Sequence, residues 1–362
     1  MRGRGCIKNG NTNFTQIPEE LKGKRSPSSD MNSSGLSAAN ASSNDLEDLY
    51  FPLDVPYTAA EIVIAAIAAL GNFLVCIAVS QDRKLWTVTN YFLVSLSVAD
   101  TLVGTFAIPC AILTSIGVPQ HKLRLCLLML SILIMLTMTS TFSLLAVAVD
   151  RYIAILHPLR YKSIMTHSNS LVMIVVAWIS SFLGGLMPVM GWYKATSPTG
   201  HCLFTQVVDM TYIVYFFAFT FFLLPLVVMF VIYAKIYMEV RKQLRVMAKG
   251  TQPGNAGGKN EVSLKKEMKT ATSLFTIIFF FVLCWAPLHI INCVILFCPD
   301  CFIPLLILQI SIVLTHANSA VNPILYAYKL KTFRNAFKAI FMCRRDGVTP
   351  GKHLEPDHSG FH

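Results

Sequence analysis

Apolar residues in this chain come in seven long runs, separated by short stretches rich in charge, proline and glycine. The runs cover Tyr57–Ser80, Val88–Thr114, Leu123–Tyr152, Ser168–Met190, Met210–Val240, Met268–Phe297 and Pro304–Tyr328. Each exceeds the ~20 residues that a helix needs to cross a hydrocarbon core of ~30 Å. Beyond the seventh run, Thr332–Met342 places Phe333, Phe337, Ile340 and Phe341 on one helical face. That pattern predicts a short amphipathic helix lying on the membrane. The expected fold class is an all-α membrane protein: a seven-transmembrane helix bundle with a short amphipathic cytosolic helix. Residues 1–56 read as a disordered, glycosylated extracellular segment, 57–328 as the bundle and 329–362 as the cytoplasmic helix and tail.

Composition agrees, since 54% of the 362 residues are hydrophobic and only 14% charged, which soluble globular chains almost never show. The net charge of +11 suggests nucleic acid only if its location is ignored. Inner loops, adjoining span ends and the tail hold 21 of the 30 Lys and Arg, whereas the outer loops with their span ends hold three. This positive-inside asymmetry puts the N-terminus outside and the C-terminus in the cytosol, and it sets the basic face against anionic lipid rather than nucleic acid. The first 45 residues lack the apolar segment of a signal peptide and are rich in Ser, Asn and Gly. Sequons at Asn13, Asn32 and Asn40 fall in this segment, consistent with an outer location.

Five of the ten cysteines lie within apolar runs, where a thiol acts as a small hydrophobe. Cys126 tops the third run and Cys202 precedes the fifth, both on the oxidising side, so a disulfide is expected to pin that loop over the bundle. Cys298 and Cys301 can close a second, small ring; metal binding is disfavoured because no other ligands cluster there. Cys343, just past the amphipathic segment, is a candidate for palmitoylation, with a free thiol as the alternative.

Polar groups inside lipid are costly and point to function. Asp100 lies midway along the second run, with Asn72, Ser140, Asn318 and Asn322 at comparable depth. Such a set fits a hydrated pocket where Asp100 holds sodium or takes up a proton; a static hydrogen-bond network is the alternative. Glu61 and His316 lie nearer the outside and satisfy each other if they meet. Asp150-Arg151-Tyr152 ends the third run, which suggests a switch: Arg151 is held by Asp150 at rest and then released toward Tyr233 and Tyr326. Pro225 and Pro287 each remove a backbone hydrogen bond, so Pro287 can act as a hinge. Trp285, Leu288, His289 and Asn292 recur at helical spacing on one face, and core packing does not readily explain the last two.

Together these features resemble the rhodopsin-like G-protein-coupled receptors over roughly Tyr57 to Cys343. Pro287-Leu288-His289-Ile290-Ile291-Asn292-Cys293, Cys202-Leu203-Phe204, Thr315-His316-Ala317-Asn318-Ser319 and Phe297-Cys298-Pro299-Asp300-Cys301 are similar to the adenosine receptors within that class. So are Gly191-Trp192 and Arg151-Tyr152-Ile153-Ala154-Ile155. The resemblance implies that Asn292 reads the adenine N6 and N7 edge, as Asn does in DNA. It also implies that Phe204 stacks on the ring, that Leu288 packs beneath, and that Ile134 and Ile312 line the walls. Thr137, Thr315 and His316 would meet the ribose above Trp285. Thr205 stands where several members carry a Glu that accepts from the adenine amine, and Met138 and Phe217 fill positions often polar in the family.

The resemblance implies a plasma-membrane receptor for extracellular adenosine, partnered by a heterotrimeric G protein and then by arrestin and receptor kinases. It needs no cofactor besides a modulating sodium ion. Thr205, Lys266–Phe275, the short loop Arg241–Lys269 and the short tail resemble inhibitory-coupling members and imply lowered cyclic AMP. Another nucleoside-like or orphan ligand is the runner-up. A transporter would show internal repeats or broken helix pairs, and an enzyme would need a catalytic dyad or metal cluster; neither pattern is found. The seventh run lacks the Lys of a light receptor, and Leu133 and Ile134 stand where an amine receptor needs an acid.

Overall fold

In the computed structural model, residues 53–194, 200–249, 276 and 279–341 are described. The three sequons, Cys343 and the segment Lys266–Phe275 lie outside the described residues. Seven helices are long and apolar enough to cross a membrane: α1 Val55–Gln81, α2 Val88–Ser115, α3 Leu123–Leu156, α4 His167–Gly185, α5 Tyr212–Gln243, α6 Phe279–Phe297 and α7 Leu305–Lys329. The amphipathic helix α8, Lys331–Phe341, follows at once and buries Phe333, Ala336 and Phe337. Among the described residues, β pairing is confined to one isolated bridge between Tyr193 and Val208.

Local chemistry sets the helix ends. Asp54 caps α1 by accepting from Tyr57 N–H, Thr87 caps α2 through Asn90 N–H, and Thr166 caps α4 through Asn169 N–H. The fourth apolar run does not stay helical to Met190, as its length suggested. Helix α4 ends at Gly185, and Met187–Met190 forms a separate turn. Pro188 has no N–H to offer the carbonyl of Gly184, and that carbonyl instead accepts from the Tyr212 hydroxyl at 2.9 Å.

Proline also explains two widened stretches. Val103–Ala107 in α2 and Tyr212–Leu223 in α5 have π-helical bonding. Each ends with an i−5 bond, from Ile108 N–H to Val103 and from Leu224 N–H to Phe219. In both cases the next residue is a proline, Pro109 or Pro225. A wide turn of this kind re-aims the following side chains.

Bundle contacts rely on small residues and buried polar ties, as lipid supplies no hydrophobic drive between helices. A Cβ on Gly71 of α1 would stand 2.7 Å from Pro323 Cγ of α7. Beside it Asn72 donates to both Ala68 O and Ser319 O at 2.9 Å, tying α1 to α7. Trp178 Nε1 of α4 donates to Ser95 Oγ at 3.0 Å, and Ser95 meets Ser143 of α3 at 3.2 Å. One apolar cluster fills the half of the bundle near Tyr233, Tyr326 and α8; another lies around Cys126, Cys202 and Phe217.

Candidate functional site

The half that holds the disulfides has a covalent lid. Cys126 at the start of α3 is joined to Cys202, 76 residues further on, and Cys298 is joined to Cys301. The loop carrying Cys202 is tied down on both flanks. Cys202 N–H donates to Gly117 O at 2.9 Å and His121 N–H to Gly200 O at 2.9 Å. On the other flank Lys194 N–H donates to Val207 O, and Lys194 Nζ to Thr205 O. Between these ties the short turn Phe204–Val207 carries Phe204, which packs against the apolar cluster that includes Ile134 and Phe217.

Helix α6 supplies the facing wall. Trp285, His289 and Asn292 are buried, and Leu288 is half-buried. His289 lies in a chain of rings: 4.2 Å from Phe222, 5.6 Å from Phe217 and 5.9 Å from Trp285. Neither of its ring nitrogens has a hydrogen-bond partner among the described residues. Below, a narrow cleft is lined by Leu133 and Thr137 of α3, Trp285, and Thr315, His316 and Asn318 of α7. The hydroxyls of Thr137 and Thr315 donate to Leu133 O and Ile312 O of their own helices. Glu61 and His316 meet as expected: Oε2 and Nδ1 are 2.7 Å apart, with Glu61 fully buried.

The expected Asp100 centre forms, with one partner added. Asp100 Oδ1 accepts from Ser140 Oγ at 3.0 Å and from Ser319 Oγ at 2.8 Å, and Oδ2 accepts from Asn322 Nδ2 at 2.7 Å. Ser319, which was not anticipated, bonds Asp100 directly, and Asn318 lines the adjoining cleft together with Ser140 and Ser319. The surroundings are oxygen-rich and neutral, a donor set that suits a hard cation. Among the described residues no group of three or more His, Cys, Asp and Glu is arranged for metal.

At the opposite end of α3, Arg151 Nε and Nη2 donate to Asp150 Oδ2 at 2.9 and 2.6 Å. Two groups not anticipated from the sequence join this clamp. Thr89 of α2 donates to Asp150 Oδ2 at 2.7 Å and accepts from Arg151 Nη2. Tyr161, in the short helix Pro158–Ile164, donates to Asp150 Oδ1 at 2.8 Å. Burial and the neighbouring Asp150 carboxylate push the Tyr161 hydroxyl up to about 12. The only sequence signal for Thr89 was its depth at the inner end of a run. Tyr233 is buried, and Tyr326 is fully buried with its ring 5.7 Å from Phe333 of α8. Tyr152 is half-buried beside His157, and Pro287 stands between Trp285 and His289.

A model of the 7 transmembrane receptor (rhodopsin family) matches residues 71–326. Curated relatives narrow this. The chain is 44% identical to adenosine receptor A2a of Homo sapiens over 300 residues, 78% of this chain and 71% of the relative. It is 43% identical to adenosine receptor A2b of Gallus gallus over 314 residues, 80% of this chain and 90% of the relative. Adenosine receptor A2b of Mus musculus is 44% identical over 306 residues, covering 79% and 90%.

The chain belongs to the adenosine receptor family.

It is thus a seven-span G-protein-coupled receptor of the rhodopsin class, and its relatives are receptors rather than enzymes. Within this receptor the lid disulfide, the α6 stripe, the Asp100 centre and the Asp150–Arg151 clamp line up along one bundle. The family match, residues 71–326, spans all four.

Proposed function

We propose that this receptor binds extracellular adenosine and passes the signal to a heterotrimeric G protein. The observation that carries the reading is the buried, unpartnered His289 in its chain of rings, with buried Asn292 on the same helix face. His289 is buried with no partner for either nitrogen, a cost that native interiors rarely leave uncompensated. Asn292 stands one turn outward on the same face, and Phe204 lies above in the cluster that includes Phe217. A flat, edge-polar base with hydroxyls at one end supplies a stacking surface for Phe204, a bidentate partner for Asn292 and polar groups for the deeper site. Leu288, Ile134 and Ile312 then pack on the base, and Thr137, Thr315 and His316 meet the sugar above Trp285. Glu61 orients His316. The relatives named for adenosine support this choice of ligand.

Asp100 with Ser140, Asn318 and Asn322, joined by Ser319, is the proposed site of a modulating sodium ion. Agonist must bind the active arrangement more tightly than the resting one to shift the population. Contraction around ribose would rearrange Trp285 and the Asp100 centre, let α6 swing about Pro287, and free Arg151 toward Tyr233 and Tyr326. The outer disulfides and the basic opposite face support a plasma-membrane protein with its N-terminus outside, and arrestin and receptor kinases would act on the inner face. The inhibitory coupling expected from the short inner loop has no support from relatives of the A2a and A2b subtypes.

Asn292→Ala, at normal surface expression, should weaken adenosine-analogue binding by about tenfold or more, as one bidentate base contact is worth ~1–3 kcal/mol. Unchanged affinity would remove the adenine assignment. A cyclic-AMP assay on the same cells gives the sign of coupling.

A further inference from the structure

The short helix Pro158–Ile164 differs physically from the spans around it. None of its seven residues is buried. Helices shorter than about 12 residues are marginal in water, and one in which only Tyr161 is as much as half-buried opens at little cost. Its tie to the bundle is the Tyr161 hydroxyl on Asp150 Oδ1. Leu159, in its first turn, is 98% exposed. Ser163, in its last turn, is exposed, and its Oγ donates to Arg160 O at 2.8 Å.

The sequence here reads Leu159-Arg160-Tyr161-Lys162-Ser163. A guanidinium thus stands three residues before an exposed hydroxyl, and an ammonium stands one before. A guanidinium at that offset is what a kinase with a carboxylate-lined substrate cleft can pair with through charge-assisted bonds. The other hydroxyls of this loop lack the feature: Ser163 itself stands three before Thr166, and Met165 three before Ser168. Thr166 is moreover engaged in capping α4.

We propose that Ser163 is a phosphorylation site for an Arg-directed Ser/Thr kinase using ATP, and that the phosphate unwinds this helix. The cytosolic location of the loop rests on the sidedness argued above. Ser163 Oγ attacks the γ-phosphorus of ATP; the new O–P bond forms as the bond to the β,γ-bridging oxygen breaks. ADP leaves, and the hydroxyl proton passes to the kinase's base. The product carries about −1.5 to −2 charge at the carboxyl end of a helix, where the backbone dipole opposes it. It also loses the O–H that now donates to Arg160 O. Unwinding draws Tyr161 off Asp150 Oδ1, whereas the contacts of Arg151 and Thr89 with Oδ2 need no change. The clamp therefore survives, and the inner surface that presents Leu159 is lost. Agonist-driven nucleotide exchange falls as a result.

The test uses the full chain in lipid nanodiscs, ATP and a purified kinase whose minimal motif is Arg three residues before Ser. Phosphopeptide mass spectrometry should find phosphate on Ser163, and Arg160→Gln should lower it about tenfold or more, the loss of one charge-assisted pair. An unmodified Ser163, or equal modification in R160Q, overturns the site assignment. Kinase treatment should then reduce agonist-driven exchange in the native sequence and spare Ser163→Ala. An equal fall in S163A overturns the coupling to helix opening. The mass readout needs no ligand, so failure of the nucleoside reading and failure of this one are told apart.

Discussion

The hydroxyl of Thr89 stands between the two charges of the inner clamp, and its removal gives a quantitative test of that clamp. It accepts from Arg151 Nη2 and donates to Asp150 Oδ2. Thr89→Val keeps the shape and deletes both bonds. A hydrogen bond to a charged group contributes roughly 1.5–3 kcal/mol. The Arg151 side chain is 11% exposed and that of Asp150 fully buried, so water can replace part of the loss on the Arg151 side only. A net of about 1–2 kcal/mol against the clamped state follows. That corresponds to a roughly 5- to 30-fold shift toward the released state. A receptor active about 1% of the time at rest would rise to about 5–20%. The assay is agonist-independent nucleotide exchange on G protein, at matched receptor number. Basal exchange equal to or below that of the native sequence, in a normally folded variant, would refute the idea that Thr89 helps hold Arg151.

Other tests reach the remaining sites. Asp100→Asn keeps an acceptor for Ser140 and Ser319 but removes the charge, and should abolish any effect of sodium on agonist affinity; a persisting effect would exclude Asp100 as the sodium ligand. A Cβ at position 184 would lie 2.8 Å from Phe221 Cζ and 3.0 Å from Met138 Sδ, so Gly184→Ala should cost about 1–3 kcal/mol, read as a lower melting midpoint in detergent; an unchanged midpoint would contradict that packing. Asp54 is held below its usual 3.8 first by the Tyr57 backbone N–H and then by the Gln309 side chain. Its stabilising share is present above the unfolded value and is lost as pH falls through the lower folded value. Asp54→Asn should therefore flatten the loss of thermal stability below pH 3.8, and an unaltered pH profile would sever the link between Asp54 and the α1–α7 contact.

The spans were legible because lipid leaves a helix no other way to satisfy its backbone, and seven runs stood far above the soluble background. The lid disulfide was legible from position: Cys126 at the outer end of the third run and Cys202 in the loop before the fifth both stood on the oxidising side. Rotation about each helix axis was not. Asn318 and Ser319 differ by about 100° around α7, and a run of this kind does not say which of them reaches Asp100. The wide turns at Val103–Ala107 and Tyr212–Leu223 were equally hidden, because an apolar run offers no period from which a change of pitch can be read. Thr89 and Tyr161 were missed because a local motif suggests its own neighbours, whereas these two reach Asp150 from another helix and from a loop.

The double grip of Asn72 has a mechanical corollary. Because one amide is wedged against backbone oxygens of both α1 and α7, those two rods form a single plank. Displacement felt by Tyr326 at one end of that plank is felt by Asp54 and Gln309 at the other. Strain entering through His316 is then shared between two rods even though Pro323 interrupts the bonding of α7, and in the proposed mechanism α6, with Pro287 in its middle, is the element left to bend.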